Sequence, residues 1–263
     1  VDFKRPQVLR PFVSRVRRVQ SAHDKEDRSL PLEIRSFGRR RGRGLSARQE
    51  RLLGDLLPKV AVDPSGAAPR DAKELFAPGT GPVWLEIGFG GAEHLVWQAR
   101  QNPDVGLIGC EPFEEGMVKA LTAIDEGGLG NIRLLGDDVR PLLRWLPERS
   151  IARVFMLFPD PWPKKRHRKR RLFSPELLRL LARVMVPGAE LRLATDIGDY
   201  ARTALTAVQG APDFRWTAEG PADWRVRSAD WPATRYEAKA GREGRRCYFL
   251  RFLRVSSPDP AGP

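Results

Sequence analysis

Along most of the chain, short apolar runs alternate with amphipathic stretches, and that alternation predicts an architecture. The segments VWLEI (83–87), VGLIGC (105–110), NIRLL (131–135), IARVFMLF (151–158) and AELRLA (189–194) are short, rich in branched apolar residues and bounded by turn residues, so each is predicted as a strand. Between and after them the apolar spacing lengthens to that of a helix over 93–101, 112–126, 139–146, 175–185 and 199–208. Ser174-Pro175-Glu176 reads as a helix start, with Ser174 as the cap and Pro175 in the first position, where a missing N–H costs nothing. A last strand is predicted over 249–255. Strands that alternate with helices imply an α/β fold built on a parallel sheet.

The first part of the chain has a different pattern. Residues 1–31 hold no sustained period. The stretch from Ile34 to Val60 opens on arginines and glycines and becomes a short helix that places Leu52, Leu53, Leu56 and Leu57 on one face. A run rich in Pro, Gly and Ala, Pro64 to Pro82, connects it to the α/β region.

Composition narrows the class. The length of 263 residues suits one α/β domain with a sizeable core. Lys and Arg number 46 against 33 Asp and Glu, a net charge of +13 that favours a polyanionic partner. Cys110 and Cys247 lie far apart, and the histidines are His23, His94 and His167, too few for a zinc, iron–sulfur or histidine-rich metal site. No apolar run approaches a membrane span and no signal-peptide core opens the sequence, so a cytoplasmic protein is expected.

Two regions carry chemistry. In LEIGFGGAEHL, residues 85–95, glycines including Gly88 and Gly90 sit between a strand and a helix, where tight turning and close approach to a ligand need them. Glu111 ends the next strand, placed to accept hydrogen bonds from two ribose hydroxyls. Those features fit a dinucleotide as well. Glu86 at the end of the first strand favours a cationic cofactor, S-adenosylmethionine, over a pyrophosphate. Asp138 after the third strand is placed near the adenine, while Asp137 is an alternative helix cap. His94 is assigned no chemistry. The second region is FPDPWPKKRHRKRRLFSPELL, 158–178, in which three prolines stiffen a loop around Asp160 and Trp162. Residues 164–171 then hold seven Lys or Arg and His167 in eight positions, a phosphate-binding composition.

With IRSFGRR (34–40), EIGFG (86–90), GCEPF (109–113), ATD (194–196) and TRYE (234–237), this segment resembles the bacterial tRNA (guanine-N7-)-methyltransferase family over roughly 34–254. The resemblance implies a class I, Rossmann-like, mostly parallel seven-stranded sheet with helices on both faces. It implies transfer of a methyl group from S-adenosylmethionine to N7 of guanosine 46 in the variable loop of tRNA. Glu86, Gly88, Gly90, Glu111, Asp138 and Asp160 are then the cofactor-site residues, with Asp160 the active-site residue. Lys164, Asp196, Thr234, Arg235, Tyr236 and Glu237 are the substrate contacts. Arg39, Arg40, Arg41, Lys165, Arg166, Arg168, Lys169, Arg170 and Arg171 are read as a basic surface for the RNA. Ala92 stands where the family often has a further glycine.

The organisation expected is a flexible extension (1–33), a basic arm with a short helix (34–63), the methyltransferase domain (64–255) and a flexible tail (256–263). The partner expected is tRNA, with no membrane and no obligate protein partner, in a monomer or homodimer. The alternatives are a methyltransferase for another RNA base and a non-catalytic RNA-binding module. Guanine N7 already has an in-plane lone pair, so Asp160 is expected to orient the base and cofactor without acting as a general base. Trp162 is left between stacking on the base and packing the loop. Trp216, Trp224 and Trp231 are read as packing residues.

Overall fold

The computed structural model describes residues 44–256. The extension, Arg39, Arg40 and Arg41, and nearly all of the tail lie outside them. The described chain opens on α1 (Ala47–Arg51), runs through a π-helical turn (Leu52–Leu56) into α2 (Leu57–Val60), and reaches the sheet after a 3₁₀ turn at Ala72–Leu75. Ser46 caps α1 reciprocally with Gln49, and Arg48 reaches Asp125 and Glu126 at 3.2 and 2.9 Å. Leu52 is buried and Leu53, Leu56 and Leu57 pack beside it, the apolar face expected from their spacing.

The main body then alternates: β1 (Val83–Ile87), α3 (Glu93–Gln101), β2 (Gly106–Cys110), α4 (Glu114–Gly127), β3 (Ile132–Leu135), α5 (Val139–Trp145), β4 (Ile151–Leu157), a 3₁₀ helix (Lys165–Arg170), α6 (Pro175–Val184), β5 (Met185–Thr195), α7 (Gly198–Gln209), β6 (Phe214–Trp216), α8 (Ala222–Arg225), α9 (Arg235–Arg242) and β7 (Tyr248–Arg254). Seven strands form one sheet in the order β3-β2-β1-β4-β5-β7-β6. β1 to β5 pair parallel, and β7 is antiparallel to both β5 and β6. This is the mostly parallel seven-stranded sheet, with helices on both faces, that the resemblance implies.

Period-two alternation assigns each strand residue to a face. In β1, Val83, Leu85 and Ile87 join the core under α5, α6 and α7. Trp84 and Glu86 therefore point to the opposite face, where α3 and α4 cover β2 and β3. Further along that second face, Phe155, Leu157, Ala194 and Phe249 are covered by Trp231. Trp231 is buried and Trp224 stacks on Tyr248, as the packing reading expected, whereas Trp216 is 37% exposed. Ser174 accepts from the Leu177 amide and Pro175 opens α6, as predicted.

Parallel pairing brings the carboxyl ends of β1, β2 and β4 to one edge, at the point where the strand order reverses on either side of β1. Open α/β sheets hold ligands at such a switch point.

Candidate active site

A cleft of about 590 Å³ opens at that edge. Its walls combine apolar side chains (Cys110, Phe113, Val139, Met156) with the carboxylates of Glu111, Asp137, Asp138 and Asp160, and with Lys169, Arg170, Arg171, Arg235 and Tyr236. Gly88 and Gly90, both at positive φ, form the turn after β1 and line the cleft. The turn is tight because α4 begins against it: a side chain at Gly116 would collide with the Gly90 carbonyl oxygen. Ala92, at the position where the family often has glycine, adopts φ +65 as it leads into α3.

Glu111 is fixed on both oxygens. Its Oε2 accepts from the Gly90 amide at 2.8 Å and its Oε1 from the Phe113 amide at 3.0 Å. Burial pushes its carboxyl up, the two amides pull it down, and Asp160 and Glu86 add like charge that raises it again. Each oxygen keeps a second lone pair for a ligand hydroxyl. Asp160 sits at the mouth, with its carboxyl raised above the ordinary aspartate value by partial burial. The loop holding it is conformationally strained on both sides, with Phe158 at φ 52 and Trp162 at φ 40. Phe158 stacks with Tyr236, centroids 6.1 Å apart, and Arg235 lies over the Tyr236 ring at 5.0 Å. Trp162 is flanked by His167 at 5.9 Å and by the Arg170 guanidinium at 5.0 Å.

Several expected residues are placed differently. Glu86 is not on the cleft wall. It lines a small adjoining recess that shares Gly88, Leu157 and Tyr236 with the cleft, and its carboxylate meets His94 Nδ1 at 2.8 Å. Asp138, and not Asp137, caps α5, and it also holds Arg140 through Nε at 2.8 Å and Nη2 at 2.7 Å. It still lines the cleft, but as half of an ion pair. Asp196 is engaged by Arg245 at 2.7 Å and Glu237 by Arg227 at 3.0 Å, while Thr234 caps α9 and is buried. Of the TRYE residues, Arg235 and Tyr236 reach the cleft. Lys164, Lys165, Arg166 and Arg168 are exposed beside the cleft without lining it.

Arg171 departs furthest from its expected place on a basic surface. Its side chain is 2% exposed and spans from the Pro161 carbonyl (3.0 Å) to the Asp199 carboxylate (2.6 Å) and the Thr203 hydroxyl (2.8 Å). It is a structural strut under the proline loop. Sequence reasoning also passed over His94 and Arg140. Arg140 follows Asp138 by two residues, a spacing that was visible; the partner of His94 is evident only from the faces of β1 and α3.

The donor set fits S-adenosylmethionine: a doubly anchored carboxylate suited to a ribose diol, apolar walls suited to a purine, and clustered carboxylates suited to a cationic centre. Replacing Glu111 by Gln leaves an amide N–H facing one of the two backbone donors. The expected result is cofactor binding weakened by about tenfold or more, measured by isothermal titration calorimetry.

Comparison with known proteins adds a lineage. Residues 80–250 match a family model described as "Putative methyltransferase". A tRNA (guanine-N(7)-)-methyltransferase of Rhodospirillum rubrum is 49% identical over 225 residues, covering 84% of this chain and 88% of the relative. One of the same name from Hyphomonas neptunium is 50% identical over 206 residues, covering 78% and 93%. One from Chelativorans is 47% identical over 219 residues, covering 83% and 94%. With matches of this extent, and a cleft built from the motifs that first suggested the likeness, the chain belongs to the tRNA (guanine-N7-)-methyltransferase family.

Proposed function

We propose that this protein transfers the methyl group of S-adenosylmethionine to N7 of guanosine 46 in the variable loop of tRNA. The observation that carries the reading is one cleft in which Glu111, anchored by the Gly90 and Phe113 amides, stands across from the strained Asp160 loop, with a basic 3₁₀ helix at its rim. When bound, the cofactor supplies an electrophilic methyl group. Glu111 holds the ribose, and Cys110, Phe113, Val139 and Met156 surround the adenine. Asp160 accepts from the N1 and N2 hydrogens of guanine. Adenine has no hydrogen at N1, so the same carboxylate selects against it. The Phe158–Tyr236 pair offers an aromatic surface to a purine turned out of the tRNA fold. Lys164, Lys165, Arg166, Lys169 and Arg170 hold the phosphates around it.

Because N7 needs no deprotonation, positioning is the residues' task and no general base is required. The single-turnover rate is expected to be flat from about pH 7 upward, whereas a base with a pKa in that range would give roughly tenfold per pH unit below it. The test of the whole reading is methyl transfer from labelled S-adenosylmethionine to unmodified tRNA, with nuclease mapping of the product. The expected product is 7-methylguanosine confined to the variable loop; label on another base or at another position overturns it.

A further inference from the structure

Behind the glycine turn lies a chain of polar groups that the reaction as described does not use. Glu86, His94 and Gln98 are 2%, 2% and 1% exposed, so each must find its partners inside the protein. Gln98 Nε2 donates to the Asp230 carbonyl oxygen at 2.9 Å and also faces His94 Nε2 at 3.1 Å. Gln98 Oε1 accepts from Asn102 at 3.1 Å. A backbone carbonyl can only accept, so the amide nitrogen of Gln98 must be the atom turned toward Asp230, and the same nitrogen must then donate to His94. His94 Nε2 is therefore the acceptor, the ring proton sits on Nδ1, and that N–H is donated to Glu86 Oε2 at 2.8 Å. Phe155 and Trp231 pack edge-on against the imidazole, with centroids 4.6 and 6.4 Å away, and close off other orientations.

The chain joins two ends of the site. Glu86 is the last residue but one of β1 and lines the recess beside the cleft, while Asp230 lies four residues before Thr234, where the segment carrying Arg235 and Tyr236 begins. We propose that His94 is a positioning residue whose Nδ1–H holds the Glu86 carboxylate in place for the cofactor, and that through Gln98 the same ring ties down the 230–237 segment that meets the tRNA. This rests on the functional reading above and adds one contact to it: the cationic end of the cofactor reaches the Glu86 carboxylate through the recess that shares Gly88, Leu157 and Tyr236 with the cleft.

Three substitutions separate the two ends. His94→Asn keeps an N–H where Nδ1 stands; His94→Leu removes it; Gln98→Leu keeps the Glu86–His94 pair and removes the tie to Asp230. Binding of S-adenosylmethionine is read by calorimetry, and KM for tRNA by methyl transfer. H94L is expected to weaken cofactor binding about tenfold, the loss of one hydrogen bond to a charged group, with H94N restoring most of it. Q98L is expected to leave cofactor binding unchanged and to raise KM for tRNA by about three- to tenfold. With only three histidines in the chain, nitrogen-15 spectra of labelled histidine read the tautomer directly; a neutral ring protonated on Nδ1 is expected for His94. An H94N variant as weak as H94L, a Q98L variant that loses cofactor and tRNA equally, or a ring protonated on Nε2 overturns the proposal. Wild-type protein that binds no S-adenosylmethionine overturns the functional reading as well, whereas wild-type binding with an unaffected H94L overturns the role of His94 alone.

Discussion

Replacing Asp160 with alanine is expected to lower kcat/KM for tRNA by about 100- to 1,000-fold, the effect of removing one preorganised group from the reacting centre. The cost should fall mainly on kcat, because the tRNA keeps its phosphate contacts and the cofactor keeps Glu111. Stability should move the other way. The folded protein raises the Asp160 carboxyl above its ordinary value, so the fold binds that proton more tightly than the unfolded chain does. Ionised Asp160 thus opposes folding at all pH values above its folded pKa, and the penalty disappears only as the pH falls through that value. At pH 7 the alanine variant should melt at or above the wild-type temperature, measured by calorimetry. A variant that lost activity and melted several degrees lower would mark Asp160 as a support for the loop and not as a reacting-centre group.

Arg171→Ala is expected to be the most destabilising single change among the basic residues of 164–171. Its guanidinium holds the Pro161 carbonyl, the Thr203 hydroxyl and the Asp199 carboxylate at once, and its side chain is buried. Charged hydrogen bonds of this kind, together with lost packing, are worth about 3 kcal/mol. For a domain of this size that is a fall of roughly 6–12 °C in Tm. Alanine at Lys165 or Arg166, both exposed, should leave Tm within about 1 °C. Catalysis should suffer too, since the strut holds the loop that carries Asp160. Equal melting temperatures for the Arg171 and Lys165 variants would refute the buried-strut assignment.

These two residues show where the sequence is readable and where it is not. The strands from β1 to β4 and the helices between them are legible because each is a short apolar run or an amphipathic period with clear punctuation. Ser174-Pro175 locates the start of α6 by capping chemistry alone. β5 begins at Met185, four residues before the expected Ala189, because Pro187 and Gly188 read as a turn although Met185 already pairs with Ile151. Arg171 could not be told from its seven neighbours, because a dense basic run reads as solvated charge. Its partners Asp199 and Thr203 come from α7, 28 and 32 residues further on. Asp196 and Glu237 were expected among the substrate contacts; Arg245 and Arg227, brought close only by the tertiary fold, pair with them. His94 was passed over for a related reason. Its partner Glu86 is eight residues away, and the contact exists because β1 turns that side chain toward α3 and into the recess beside the cleft.

The order of strands also has a consequence for how the protein is made. β7 follows β6 in the chain yet lies between β5 and β6 in the sheet. Until residues 248–254 leave the ribosome, β5 keeps an open hydrogen-bonding edge, and β6 has no neighbour to pair with. Vectorial synthesis therefore delivers the cofactor end of the fold long before its sheet can close. In that interval the nascent chain carries an unpaired strand edge, the kind of surface to which holding chaperones and misplaced strands both bind.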